Sequence, residues 1–127
     1  MQELSMRNYA HIGDAVWELF VREYTVFKTQ NTKLLHNMTT ERVRAGFQAR
    51  YLELIQDELN ESEQDIARRA RNASIPVARR NNQTEYRLST AFEALIGYWY
   101  LYDKDRLNYF FEKFKQICEK AWKLSQA

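Results

Sequence analysis

Apolar residues recur along this chain every three or four positions, the spacing of one face of an α-helix. Over Asn8–Tyr24 they cover most of the circumference and leave one polar stripe of His11, Asp14, Glu18 and Arg22, so this helix is expected at the centre of the fold. A short helix near Thr32–Asn37 precedes a longer one from about Glu41 to Leu59, with Val43, Phe47, Tyr51, Leu54 and Ile55 turned inward. Ser62 with Asp65 three residues on has the form of a capping box and predicts a helix through about Asn72. The last helix is the plainest: Leu107, Phe110, Phe111, Phe114, Cys118, Ala121 and Trp122 form a stripe against Lys113, Lys115, Glu119, Lys120 and Lys123. With 3 glycines and 1 proline there are few places to break a helix, and the pattern predicts an all-α protein.

The length of 127 residues predicts a single domain over 1–127 with one core and no appendage. The balance of 19 basic and 17 acidic residues, net +2, does not by itself announce nucleic-acid binding. The lone Cys118 excludes an internal disulfide, suits a reducing compartment and is expected to fill core space. No apolar run reaches the roughly 18–20 residues of a membrane span and no secretory pattern opens the chain, so a cytoplasmic location is expected, with no membrane partner.

Charge is segregated even though its sum is small. From Ala73 to about Glu85 the helical period disappears, and between Arg68 and Arg87 there are 6 arginines against 1 acid. Long irregular segments in small domains usually carry function. Arg68, Arg71, Arg79 and Arg80 suit phosphates, because a guanidinium donates paired hydrogen bonds; Asn81, Asn82 and Gln83 suit sugar hydroxyls and base edges. Double-stranded RNA is the target this composition fits. A solvated loop, its arginines paired with the acidic Asp57–Asp65 stretch, accounts for the composition equally well.

Two helical segments each join an acid to a glycine: His11-Ile12-Gly13-Asp14-Ala15-Val16 and Ala91-Phe92-Glu93-Ala94-Leu95-Ile96-Gly97. Within Tyr86–Tyr102 the only charged residues are Arg87 and Glu93, so Glu93 falls in a segment apolar enough to be buried, where a lone carboxylate costs several kcal/mol or more. A glycine inside a helix costs about 1 kcal/mol relative to alanine, so Gly13 and Gly97 imply that another backbone or a ligand comes close. Periodicity alone reads Asp14 as a solvated member of its stripe, and Glu93 could be paired with Arg87 or another arginine. His11 and His36 receive no chemical role, and the tyrosines and phenylalanines are read as core.

Gly13-Asp14-Ala15 leading an amphipathic helix resembles the signature helix of ribonuclease III domains, and Phe92-Glu93-Ala94-Leu95-Ile96-Gly97 resembles their second catalytic helix. The segments Tyr9–Ala15, Arg71-Asn72-Ala73 and Tyr86–Leu95 are similar to the Mini-III subfamily, short bacterial enzymes without a separate double-stranded-RNA-binding domain. The resemblance spans about residues 8–105. It implies a compact bundle of about six or seven helices. It also implies a homodimeric, magnesium-dependent endoribonuclease, with manganese able to substitute, that cuts double-stranded RNA. Asp14 and Glu93 become the catalytic and metal-binding residues. The implied substrate is precursor 23S ribosomal RNA, and a ribosomal protein is a candidate helper in presenting it. Magnesium takes hard oxygen ligands, keeps several waters and is often held by one or two carboxylates plus substrate phosphate, a need that Asp14 and Glu93 meet. Two sites related by a two-fold axis suit cutting of both strands.

The chain departs from larger bacterial ribonucleases III at two positions. Ala10 stands where they carry glutamate, four residues before the signature aspartate, and Thr90 where they carry aspartate, three before the second-helix glutamate. Mini-III enzymes share both departures. Glu18 and Thr90, each one turn from an acid, are further candidates acting through waters. The rival expectations are a catalytically silent double-stranded-RNA-binding module on the same fold and a helical dimerisation domain.

Overall fold

The computed structural model describes residues 3–73 and 83–126. Among them the chain forms α1 (Met6–Thr25), α2 (Thr32–Val43), α3 (Ala45–Ile55), a one-turn 3-10 helix (Gln56–Glu58), α4 (Glu61–Arg71), α5 (Gln83–Tyr102) and α6 (Lys104–Gln126), and no strand. The all-α expectation holds. The stretch without helical period is shorter than its polarity suggests, because helix resumes at Gln83 rather than after Glu85.

Local chemistry sets the ends of most elements. Ser5 Oγ accepts the Asn8 N–H at 3.2 Å to open α1, and Asn31 Oδ1 accepts the Leu34 N–H at 2.9 Å to open α2. The capping box of α4 is Asn60 with Glu63, not Ser62 with Asp65: Asn60 Oδ1 accepts from Glu63 N at 2.9 Å and Glu63 Oε1 from Asn60 N at 2.8 Å. Ser62 already lies inside the helix, and Asp65 pairs with Arg68 and Arg69. A single residue, Asp103, separates α5 from α6; its N–H donates to Trp99 O at 2.8 Å, and its carboxylate accepts the Arg106 N–H at 3.2 Å.

The expected boundary between the second and third helices is displaced. Helix continues from Thr32 through Val43, then Arg44 turns extended (φ −69°, ψ 155°) and α3 begins. Distant groups support this break. The Trp17 indole donates to Arg42 O at 3.1 Å and the Gln48 amide to Val43 O at 3.3 Å, satisfying carbonyls at the end of α2. With α3 starting at Ala45, its buried face is Gln48, Tyr51, Leu52 and Ile55; Leu54 is 58% exposed, contrary to its expected inward place.

Helix α5 packs along α1, with α3 and α4 against its other sides. Trp17, fully buried, meets Phe92 edge-on at 4.8 Å and Phe114 at 4.6 Å, joining α1, α5 and α6 in one aromatic core. The Tyr51 hydroxyl donates to Phe110 O at 2.6 Å and ties α3 to α6. Cys118 fills core space as expected. Tyr100, Tyr102, Tyr109 and above all Phe27, at 90% exposure, are not core, and Ala121 is exposed.

A buried carboxylate that sequence patterning does not flag lies at the α4–α6 junction. Glu63 accepts from Arg106 Nε at 2.7 Å, Arg106 Nη2 at 2.9 Å and Trp99 Nε1 at 2.8 Å. Burial pushes its carboxyl up, but the Arg106, Asn60 and Trp99 hydrogen bonds outweigh that and hold it below the usual range.

Candidate active site

The site is built where α1 crosses α5, and two glycines make the crossing possible. A Cβ added at Gly13 would stand 1.8 Å from Glu93 O and 2.8 Å from Gly97 N; one at Gly97 would stand 1.9 Å from Tyr9 O and 2.9 Å from Ile12 Cγ2. Each helix thus uses a glycine to admit the other's backbone, as the helix-interior glycines imply. The crossing brings together the neighbours of those glycines. Asp14, beside Gly13, hydrogen-bonds Glu93, whose own carbonyl lies against Gly13.

The two acids differ in environment. Asp14 is exposed, whereas Glu93 is half-buried on a stripe with Ser89 and Gly97, both buried. Burial, a hydrogen bond in which the neutral Glu93 carboxyl donates to Asp14, and the Asp14 charge push the Glu93 carboxyl up to about 9, and the Gln48 amide pulls the other way. With its carboxyl raised that far, Glu93 keeps its proton at neutral pH. The alternative of a Glu93–Arg87 ion pair does not form: the Arg87 guanidinium donates to Arg71 O instead, and no cationic group is among those shifting Glu93.

Among the described residues no cluster of three or more His, Cys, Asp or Glu side chains stands ready to hold a metal. Two adjacent carboxyls of unlike burial, with hard oxygen donors and no cation beside them, nevertheless fit a magnesium-type ion that completes its shell with water and phosphate. Glu18 is held by Arg22 at 2.8 Å on the exposed face of α1. Thr90 lines a narrow cleft with Arg7, Arg71, Tyr86 and Arg87, which gathers basic side chains one turn before Glu93. His11 and His36 are both exposed.

Of the residues expected to contact RNA, Arg68 is an exposed α4 side chain paired with Asp65, Arg71 is half-buried, and Gln83 is the exposed first residue of α5. Arg79, Arg80, Asn81 and Asn82 lie outside the described residues. Neither acid lines the groove that runs between Glu3, the 3-10 turn and α4.

Sequence reasoning missed Gln48 and Ser89. Gln48 is 1% exposed, with Oε1 accepting the Ser89 hydroxyl at 2.5 Å and Nε2 donating to Val43 O at 3.3 Å. The signals that mark them are a glutamine on the apolar face of α3 and a serine four residues before Glu93 on the same face of α5.

Two acids paired at a glycine crossing of an all-α domain fit a cation-dependent hydrolase, and comparison with known proteins assigns the family. The ribonuclease III domain description fits residues 7–104. The chain is 44% identical over 108 residues to the Mini-ribonuclease 3 of Gloeobacter violaceus (85% of this chain, 80% of that one) and 37% identical over 118 residues to that of Desulfitobacterium hafniense (91% and 75%). A crystal structure of a Fusobacterium nucleatum protein superposes with a TM-score of 0.80 at 31% identity, covering 94% of this chain and 95% of that one. The chain thus belongs to the ribonuclease III domain family, among the Mini-ribonuclease 3 proteins, and is an endoribonuclease of that type acting on double-stranded RNA. The family is generally dependent on divalent metal.

Proposed function

We propose that Asp14 and Glu93 are the catalytic pair of a magnesium-dependent endoribonuclease, manganese substituting, that hydrolyses phosphodiester bonds of double-stranded RNA in the maturation of precursor 23S ribosomal RNA. The observation that carries this reading is the contact between the Asp14 and Glu93 carboxyls at the Gly13–Gly97 crossing. We further propose that the chain works in the cytoplasm as a single domain, as a homodimer whose two sites cut opposite strands, with a ribosomal protein helping to present the substrate. No described helix is long and apolar enough to cross a membrane.

Asp14 and Glu93 would hold the cation, which when bound neutralises phosphate charge and makes a water more acidic. A cation held by these two residues would favour the ionised form of Glu93, because nearby positive charge offsets the cost that burial and the Asp14 charge place on ionising it. Exposed Asp14 meets the substrate side of the pair; Glu93, fixed in α5, keeps the geometry constant. Arg68, Arg71, Arg79 and Arg80 would pair with RNA phosphates, and Asn81, Asn82 and Gln83 with sugar hydroxyls and base edges.

The test is incubation of the chain and of Asp14→Asn with a long RNA duplex, and with a single strand of the same sequence, in magnesium or chelator. Magnesium-dependent cutting of the duplex alone, lost in Asp14→Asn with duplex binding retained, is the expected result. Binding without cutting would shift the reading to the silent RNA-binding module; an active Asp14→Asn protein refutes the assigned pair.

A further inference from the structure

We propose that Arg7, Arg87 and Thr90 join Arg71 in a subsite for one phosphate of the RNA backbone, a phosphate close to the one that is cut. The proposal rests on the nuclease reading of Asp14 and Glu93. The four side chains come from α1, α4 and α5 and line one narrow cleft, and no carboxylate lines it. The cleft differs in this from the rest of α4, where Arg68 is paired with Asp65 and Arg69 with Glu3 and Asp65. The Arg87 guanidinium donates to Arg71 O, which fixes it across the gap between α5 and α4, but a carbonyl carries no net charge to balance it. Three guanidiniums around a cleft without an acid repel one another and focus positive potential there. An anion entering the cleft removes that cost.

Size and place identify the anion. The cleft holds about 10 Å³, room for a single water-sized atom. A base or a sugar ring is too large to enter. A phosphodiester can insert one non-bridging oxygen and leave the other outside, and guanidinium forks with a hydroxyl are the donors such an oxygen takes. Thr90 stands one turn before Glu93, about 4–5 Å along α5 at the rise of an α-helix. Arg7 stands seven residues before Asp14, on nearly the same face of α1, and both are exposed. The cleft therefore opens toward the acids, so a phosphate held there and one held at Asp14 and Glu93 belong to nearby nucleotides. A contact of this kind sets the register of the backbone over the acids and reads no sequence.

The test uses the full chain and a duplex RNA whose cut position has been mapped in magnesium, with binding then measured in chelator over a range of salt. Arg7→Gln should bind the duplex about five-fold more weakly or worse, to a similar degree for any sequence, and should lower the slope of log affinity against log salt by about 1. Placement is read with duplexes that each carry one uncharged methylphosphonate, on a 2′-O-methyl nucleotide, at successive positions on either side of the cut. Wild type should lose affinity most at one position beside the cut, and Arg7→Gln should be indifferent to neutralisation there, because the partner of that phosphate is already gone. Arg7→Gln with wild-type affinity and salt slope overturns the proposal, and so does a weaker Arg7→Gln that keeps the wild-type sensitivity at every position. If Arg7→Gln does not fold, the outcome passes to Arg71→Gln, which must become indifferent at the same phosphate or the subsite is refuted. A wild-type chain that neither binds nor cuts the duplex overturns the nuclease reading, and this proposal with it; wild-type binding and cutting with unaffected variants overturns this proposal alone.

Discussion

Glu93 should make the metal-free protein less stable as pH rises, through a range where most proteins are insensitive to it. Its carboxyl lies near 4.5 in the unfolded chain and at about 9 in the folded one, raised by burial and by Asp14. Between those values the folded state holds a proton that the unfolded state has released. Stability from this group is complete below the unfolded value and is lost progressively as pH climbs toward the folded one. One proton corresponds to about 1.4 kcal/mol per pH unit, so the loss between pH 5 and 8 is about 4 kcal/mol. The size of the shift sets how far this window extends; the slope within it is set by the single proton. Glu93→Gln keeps shape and hydrogen bonding while removing the titration, so its advantage over wild type should grow by about 1.4 kcal/mol with each pH unit. Urea unfolding of both proteins in chelator, at half-unit steps from pH 5.5 to 8, reads that difference, with other titrating groups cancelling. Parallel stability curves would refute the raised Glu93 carboxyl, whatever the absolute stabilities.

Other expectations follow from the same contacts. Gly97→Ala places a methyl 1.9 Å from Tyr9 O, which is backbone and cannot swing aside, so α1 and α5 must separate. Overpacking of this kind costs about 2 kcal/mol or more after the propensity gain of alanine, and thermal unfolding should show it. Arg106→Ala leaves Glu63 buried without its cation and should cost about 3–5 kcal/mol, with much of the loss recovered on acidification because protonated Glu63 no longer needs the partner. Arg79→Ala with Arg80→Ala should weaken duplex binding more than it slows cleavage at saturating RNA. It should also reduce the slope of log affinity against log salt by about 2.

What could be read in the sequence divides along a physical line. The α1–α5 crossing was legible because Gly13 and Gly97 are costly inside helices and each stands close to an acid, so one close approach explains both. The paired acids followed from that approach together with the family resemblance. What periodicity could not supply is anything decided between elements. The end of α2 depends on donors from Trp17 and Gln48, and a short-range reading of Thr32–Leu59 has no means to weigh either. Gln48 falls on the apolar face of α3, but its partner Ser89 lies 41 residues away on α5, beyond the reach of any local pattern. The α4 cap was placed two residues late, at Ser62 with Asp65, although Asn60 is also a good cap and has the glutamate three residues on that closes the box.

Two acids carry this distinction into function. Glu63 is fully buried and Glu93 half-buried, yet Glu63 is supplied within the fold with Arg106, the Trp99 indole and the Asn60 N–H, and its charge is matched. Glu93 is given a second acid and an amide. A fold that meant Glu93 only for stability would do better with a neutral residue there, because two acids in contact raise the cost of ionising either. Retaining them is explained if their charge is balanced by something that comes and goes, and a divalent cation carried with a phosphodiester has the charge and the oxygen preference to do so. Function in this chain is thus written where the fold leaves a charge unmatched, and structure where it matches one.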